Sequence, residues 1–467
     1  MKKLLGAPLH VVNIGIASFA EPVRSAGAGA TQLEWAPPAQ GDRAVADSLG
    51  RLTRHPTVEA ANRQAFEAYG AASPVVEGIG LARECIPGMK GKLILHAGPP
   101  ISWERMCGPM QGAIIGALLY EGWATGAPRA RAMAASGEID YAPCHHHSAV
   151  GPMSGIISPS MPVWIVRNAG GANIAFSNMN EGLGKVLRFG ANGPDVIARL
   201  RFLENVLAPT LRAAVRTAGG IDLKSIQAQA LLMGDEVHSR NAAATLQFLA
   251  AIAVPLADAG CPPSATRESL AFIAANSQFF LNLSMASSKA IMDSAHGIDG
   301  CSVVTAIARN GVTTAIRVSG LGSRWFEASS DMPVGLFFPG FAQADANADL
   351  GDSAICETAG FGGFSLAASP ALVQLVGGTV TEAIAYSREM YEITVARNPA
   401  LSLPNLDFAG APCGIDIRKV VDTGIRPAIT TGIAHKSPGI GQIGAGIVRT
   451  PMACFAQAVQ ALARSLC

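Results

Sequence analysis

Short apolar runs bounded by turn residues alternate along this chain with longer stretches of helical spacing, and the balance between them shifts from one end to the other. LHVVNIG is a compact apolar run, SFAEPVRSAG a short helix opened by Ser18, and ATQLEW a second strand; together they read as the opening of a βαβ unit. Residues 42–88 read as helical, KLILHAG as the next strand, PPISWERMCGPM as a loop and QGAIIGALLYEGWA as a helix rich in small residues. VIARLRFLENVLAPTLRAAVRTAGG keeps helical spacing up to a double-glycine stop, and helices are expected over 224–235, 241–257, 267–275 and 277–295. The pattern then switches to β-branched runs, SVVTAIA and VTTAIRVS, joined across Arg309-Asn310-Gly311. Asn-Gly between two such runs predicts a hairpin, because the tight turn needs a residue at positive φ. A helix at TEAIAYSREMYEITVAR and a glycine-rich tail follow.

These elements predict a mixed α/β and α+β fold with a Rossmann-like N-terminal layer, a helical middle section and an α+β C-terminal part. The expected divisions are an N-terminal α/β domain over 1–100, a central α+β catalytic domain built from 101–200 plus 298–467, and a mostly helical section over 201–297. A chain of 467 residues exceeds one ordinary core, which is why several domains are expected. The first turn, NIGIAS, lacks the glycine spacing of a dinucleotide fingerprint. GIGQIG near the end fits that spacing, but no strand–turn–helix–strand unit of the needed length follows it.

Composition narrows the function. A net charge of +1 with no basic cluster gives no reason to expect nucleic acid or a membrane surface as partner. Hydrophobic residues make up 49% and charged residues 15%, so a large fraction should be buried, a homo-oligomeric interface included. GAIIGALLY is too short to cross a bilayer. The start MKKLLGAPLHVVNIGIASFA has the outline of a signal peptide, but Pro8, His10 and Asn13 interrupt its apolar stretch. The 9 cysteines are scattered without C-x-x-C spacing, as expected of reduced thiols in the cytoplasm.

The candidate chemistry centres on Cys144-His145-His146-His147, set in the apolar stretch YAPCHHHSAVGPM. Imidazoles cost free energy in such surroundings unless their nitrogens find partners, and they move protons or bind metals near neutral pH. In an extended segment His145 and His147 would share one face. A zinc site would need a third ligand from elsewhere, and the plain alternative is rings bonded to backbone carbonyls. MGDEVHSRN is the second cluster: on a helix Asp235 and His238 would lie on one face, the carboxylate orienting the ring, with Glu236 beside them. Asp235 capping the next helix is the alternative. Glu104 and Arg105 pair with each other or with an anion. Cys107 has nothing local to activate it and reads as a buried thiol. Arg240, Asn241, Lys289, Arg309, His435 and Lys436 complete the candidate substrate and phosphate ligands; Arg309 is also readable as a turn residue and Lys289 as a side chain that reaches the surface. In GDSAICETAGFGG the acids Asp352 and Glu357 precede glycines. The segments near 104, 145, 238 and 436 are expected to converge.

Together, HAGPPISWERMCGPMQGA, SGEIDYAPCHHHSAVGPM, GLGKVLRFG, MGDEVHSRN, FFLNLSMASSKA, GDSAICETAG and REMYEITVARNP resemble a bacterial family, one member of which is a subunit of oxamate carbamoyltransferase from anaerobic allantoin breakdown. The resemblance runs along nearly the whole chain and implies carbamoyl transfer: a ureido compound such as oxalurate is split by phosphate into an amide and carbamoyl phosphate. It also implies partner subunits, one resembling a succinyl-CoA synthetase. The Ser-Thr-Arg-Thr loop of aspartate and ornithine transcarbamoylases is absent from the sequence. Carbamoyl transfer needs cations for phosphate and carboxylate, donors for an oxyanion and an acid for the leaving nitrogen. His145, His147, Asp235, Glu236 and His238 are the expected catalytic residues, and phosphate or carbamoyl phosphate the co-substrate. A metal-assisted amidohydrolase using the His block, Glu236 and a divalent metal is the alternative enzyme, and a non-catalytic subunit the alternative to an enzyme.

Overall fold

The computed structural model describes residues 9–33, 35 and 37–466. The lysines and Pro8 of the leader-like start and Glu34 of ATQLEW lie outside them. The fold is mixed α/β. A five-stranded sheet runs in the order Ala149–Val150, Ile174–Asn178, Pro162–Asn168, Pro74–Leu81, Ile221–Asp222. A four-stranded sheet runs Phe326–Ser329, Thr313–Val318, Val304–Asn310, Leu350–Gly351, and a three-stranded one Val334–Phe337, Gln442–Arg449, Ala428–Ala434. Three strand pairs complete the β-structure: His10–Ile14 with Gly29–Leu33, Leu93–His96 with Asp140–Pro143, and Thr394–Leu403 with Ala409–Ile415.

Three expectations need correction. The helix expected over TEAIAYSREMYEITVAR ends at Glu392, and its last residues begin the strand Thr394–Leu403. Residues 42–88 are helical only as far as Ala71; Pro74–Leu81 is a strand in the middle of the five-stranded sheet. Val76 and Ile79 are both buried because a register irregularity between Val76 and Gly78 interrupts the alternation, and Pro74 cannot extend a helix from the residues before it. The Rossmann-like layer is not found among the described residues. His10–Ile14 and Gly29–Leu33 do pair in parallel, with the short Ala20–Ser25 helix between them, but no third strand joins. Parallel sheets normally bury both faces, whereas here Val12 and Ile14 stay exposed.

The helical middle follows the sequence closely. Pro194–Phe202 continues through a π-turn at Leu203–Leu207 into Ala208–Ala218, and Gly219 stops it at φ 71°. Leu223–Leu232, Ala242–Asp258, Pro263–Ala274 and Leu281–Ser294 follow. Trp164 meets Phe248 and Phe279 edge-on, at ring-centroid distances of 5.9 and 6.2 Å, which fixes the helical section against the five-stranded sheet. The hairpin also forms, with Gly311 at φ 81° and Asn310 Oδ1 accepting the amides of Val312 and Thr313.

Candidate functional site

Two polar clusters form at the ends of one short segment. After Leu350–Gly351 pairs with Asn310 and Arg309, the chain passes Asp352 into the helical turn Ile355–Thr358 and reaches Glu357. Both acids are fully buried. The helix Leu281–Ser294 packs against this turn, and every residue from Asn282 to Met292 is buried. The small residues of NLSMASSKAIM permit that approach.

At the Glu357 end lies the MGDEVHSRN segment. It is a loop between two helices, so Asp235 and His238 share no helical face: Gly234 takes φ 89° and Val237 φ 62°, which ends the helix. Asp235 instead accepts the amide of Ala244 at 3.0 Å and pairs with Arg240 Nε at 3.0 Å, capping the following helix. The carboxylate that orients His238 is Glu357, with Oε1 2.8 Å from Nδ1. The same oxygen accepts the amides of Gly363 and Thr430 at 3.1 and 3.0 Å. Glu236 folds back onto its own loop and accepts the amides of His238, Ser239 and Arg240 at 2.8, 2.6 and 3.1 Å. Thr430 Oγ1 lies 3.2 Å from both Glu236 Oε1 and Glu357 Oε1. Burial pushes Glu236 up to about 7, against the pull of His238 and the three amides. Glu357 Oε2 is buried without a partner. A Cβ at position 362 would sit 2.0 Å from Glu357 Oε1, so glycine is required there. A histidine with Nδ1 fixed on a carboxylate keeps Nε2 for proton exchange, and a second carboxylate near neutral pKa can hold the proton in transit.

At the Asp352 end lies the histidine block. Cys144–His147 is a 3₁₀ turn and not an extended run, so His145 and His147 do not share a face. His145 is buried, with Nε2 3.7 Å from Asp352 Oδ1, and neither ring nitrogen has a hydrogen-bond partner. His146 Nε2 accepts from Trp325 Nε1 at 2.9 Å. His147 Nδ1 bonds the carbonyl of Pro87 at 2.7 Å. Asp352 accepts the amides of Gly98 and Gly151 at 2.8 and 3.2 Å, and burial pushes it up to about 7. Lys289 does not reach the surface: it is buried, with Nζ 2.6 Å from Asp293 Oδ1. Arg309 is not a turn residue either; its Nε lies 2.6 Å from Asp349 Oδ2, with both side chains buried.

The remaining candidates lie elsewhere. Glu104 and Arg105 are exposed, and their charges bear on Tyr141 and Glu327 respectively. Asn241 is buried and bonds His238 O and Gln278 Oε1. His435 packs on Phe341, and Lys436 Nζ bonds the carbonyl of Ala344 at 2.7 Å from an exposed turn. The four segments expected to converge therefore do not meet as one cluster. His145 and His238 are joined through the Asp352–Glu357 segment, while 104–105 and 436 stay at the surface. Burial pushes the Cys107 thiol up to about 11, as fits a buried thiol. Among the described residues no three His, Cys, Asp or Glu side chains converge as a metal-holding group. Asp352 and Glu357 were visible in the sequence as acids ahead of glycines, and Arg317 as one of two arginines, with Arg324, flanking Gly320-Leu321-Gly322; His296, Trp325 and Thr430 carried no local signal.

Asp352 yields a pH prediction. Its folded-state pKa lies above the ordinary aspartate value of 3.8, so the folded chain holds this proton longer than the unfolded one. The stability it contributes is complete below that ordinary value and is lost as pH rises to about 7. Asp352→Asn should therefore lose less stability between pH 5 and pH 8 than the parent, by on the order of a few kcal/mol. Urea denaturation at the two pH values measures this; identical losses in both proteins would contradict it.

Comparison with known proteins places the chain in a family. The model of the family "Oxamate carbamoyltransferase subunit AllG" matches residues 139–353, which hold the histidine block, the MGDEVHSRN loop and Asp352. Over its length the chain is 47% identical to Uncharacterized protein YahG of Escherichia coli (strain K12), covering 98% of both chains. It is 52% identical over 379 residues to Oxamate carbamoyltransferase subunit AllG of the same organism, covering 81% of this chain and 90% of that one. The chain belongs to this family. A crystal structure from Enterococcus faecalis V583, described as a conserved protein of unknown function, shares the fold with a TM-score of 0.87 and 44% identity, covering 88% of this chain and 99% of that one.

Proposed function

We propose that this chain is the carbamoyl-transferring subunit of an enzyme complex, acting on a ureido or amide compound with phosphate or carbamoyl phosphate as co-substrate. The relative named for oxamate makes oxamate and its carbamoylated form the first substrates to test. The observation that carries the reading is the buried network Glu236–His238–Glu357–Thr430, a proton-handling group inside a member of this family.

In the splitting direction, an oxygen of hydrogen phosphate attacks the ureido carbonyl carbon. The bond from that carbon to the amide nitrogen breaks, and the nitrogen takes a proton. The proton that phosphate loses equals the one the nitrogen gains, so one group can take it and return it. His238 fits this role: Glu357 fixes Nδ1, Nε2 exchanges the proton, and Glu236 beside it tolerates either protonation state near neutral pH. In this reading the chain works in the cytoplasm, as its scattered cysteines suggest, in a homo-oligomer, as its apolar composition suggests, and beside a succinyl-CoA-synthetase-like subunit, as the family resemblance implies.

The test is phosphate-dependent release of carbamoyl phosphate from oxalurate by the complex purified from its own cells. We expect release only with phosphate present, and its loss in His238→Ala. Release that does not depend on phosphate, or an unaffected His238→Ala complex, contradicts the reading.

A further inference from the structure

Arg317 is a buried cation outside any direct ion pair; the carboxylate whose charge acts on it, Asp293, is bonded to Lys289 Nζ. It lies on the strand Thr313–Val318, 9% exposed, and no carboxylate comes within ion-pair distance of it among the described residues. Its Nη2 lies 3.0 Å from His296 Nε2 and 3.5 Å from the carbonyl of Gly322, and its Nε is buried with no partner. Its guanidinium stands 5.6 Å from the ring centroid of Trp325. His145 meets the same indole edge-on at 5.6 Å, again with both ring nitrogens unpaired. Lys289 is close enough for its charge to act on His145, His296 and Arg317. It has one acceptor, Asp293, for three N–H donors.

A buried ion without a counter-charge costs several kcal/mol, and each buried donor left unpaired adds to that cost. Three segments distant in sequence bring such groups together: the histidine turn, the Leu281–Ser294 helix with His296 just after its end, and the Thr313–Val318 strand. Burial, with the cations adding to it, keeps both the His145 and the His296 ring neutral. His145 can present one N–H, whereas His296 accepts Arg317 at Nε2 and turns Nδ1 to Thr305 Oγ1 at 2.8 Å, so it holds the guanidinium in place. The unpaired groups here are predominantly donors and cations, which is the complement of a small oxyanion and not of a metal ion.

We propose that Arg317, Lys289 and His145 form a buried binding site for a small oxyanion, with His296 positioning Arg317 and Trp325 beside it. Two sources share that chemistry, the phosphate of the co-substrate and the carboxylate of the amide or ureide. The assignment deepens the transfer reading by placing its anionic group, but the site stands on its own unpaired donors. Arg317 supplies the planar fork that either anion accepts bidentately, and Lys289 a point charge. Trp325 stands half-buried beside Arg317 and His145 and, through Nε1, bonds His146.

The experiment reads binding without turnover. Protein labelled with ¹⁵N-histidine is titrated with inorganic phosphate and, separately, with oxamate, and the His145 and His296 ring resonances are followed. Calorimetry on Arg317→Gln and Lys289→Gln accompanies the titration. We expect one or both anions to move these two rings at millimolar concentration, and both variants to bind about tenfold or more weakly. Phosphate alone moving them assigns the co-substrate; oxamate alone assigns the carboxylate. If neither anion moves either ring in the folded parent, the site does not exist; that titration needs no variant. Rings that move equally in Arg317→Gln also overturn it. A protein that binds phosphate here yet transfers no carbamoyl group keeps the site and loses the transfer reading.

Discussion

Glu357→Gln should leave the chain folded and lower carbamoyl transfer by about 10²–10⁴-fold. The exchange keeps volume and removes charge. Glu357 Oε1 gathers His238 Nδ1, the amides of Gly363 and Thr430, and the Thr430 hydroxyl, all donors to an acceptor-only group. A glutamine can hold the ring in place through its carbonyl oxygen, but it cannot stabilise the imidazolium that forms when His238 takes a proton. Glu357 acts through His238, so the effect should fall on kcat and leave the KM for phosphate nearly unchanged. Glu357→Asp should recover part of the rate. Equal changes in kcat and KM, without recovery by aspartate, would mark Glu357 as merely structural.

Arg309→Ala should cost about 3–5 kcal/mol of stability. The pair with Asp349 is buried on both sides, and Asp349 also accepts the Thr431 hydroxyl at 2.9 Å and the amide of Leu350 at 3.0 Å. Removing the guanidinium leaves a buried carboxylate with neutral donors only. The loss reaches the site, because Arg309 and Asn310 pair with Gly351 and Leu350 and so set where Asp352 begins. Gly98 packs against the same place: a Cβ there would lie 2.5 Å from Asn310 N, and its amide donates to Asp352. Urea denaturation of Arg309→Ala, Asp349→Ala and the double variant measures the pair. The double variant should lose less than the sum of the singles, by about 0.5–3 kcal/mol. Strict additivity would show that the two side chains do not support each other.

Where periodicity was strong, the sequence was legible. The helical middle, the Asn-Gly hairpin and the small-residue helix at Gly108–Tyr120 all form where the spacing puts them. Pro74–Leu81 was not, because PVVEGIGL follows a long helix and carries a short apolar run that periodicity alone cannot assign. The histidine block drew attention correctly as polar residues in apolar surroundings, but its 3₁₀ turn splits the three rings among a buried donor cluster, an indole and a carbonyl. Asp235 and His238 looked paired by spacing; Gly234 and Val237 at positive φ break the helix on which that pairing depended. His238 finds its carboxylate 119 residues away. Thr430 and Trp325 matter through neighbours that only folding supplies, and no local pattern marks them; Arg317 stands out only as an arginine ahead of Gly320-Leu321-Gly322, which does not reveal its neighbours.

The account rests on this chain moving a carbamoyl group with the His238–Glu357 pair at work, and isotope transfer tests that most directly. The complex is incubated with ¹³C-carbonyl carbamoyl phosphate and unlabelled oxamate, and the ¹³C spectrum is followed for the ureido carbonyl of oxalurate. The account expects that resonance to appear with the parent chain and to be absent with His238→Ala at equal protein concentration. Label that stays in carbamoyl phosphate or its breakdown products with the parent chain, or that transfers equally well without the imidazole, would contradict it.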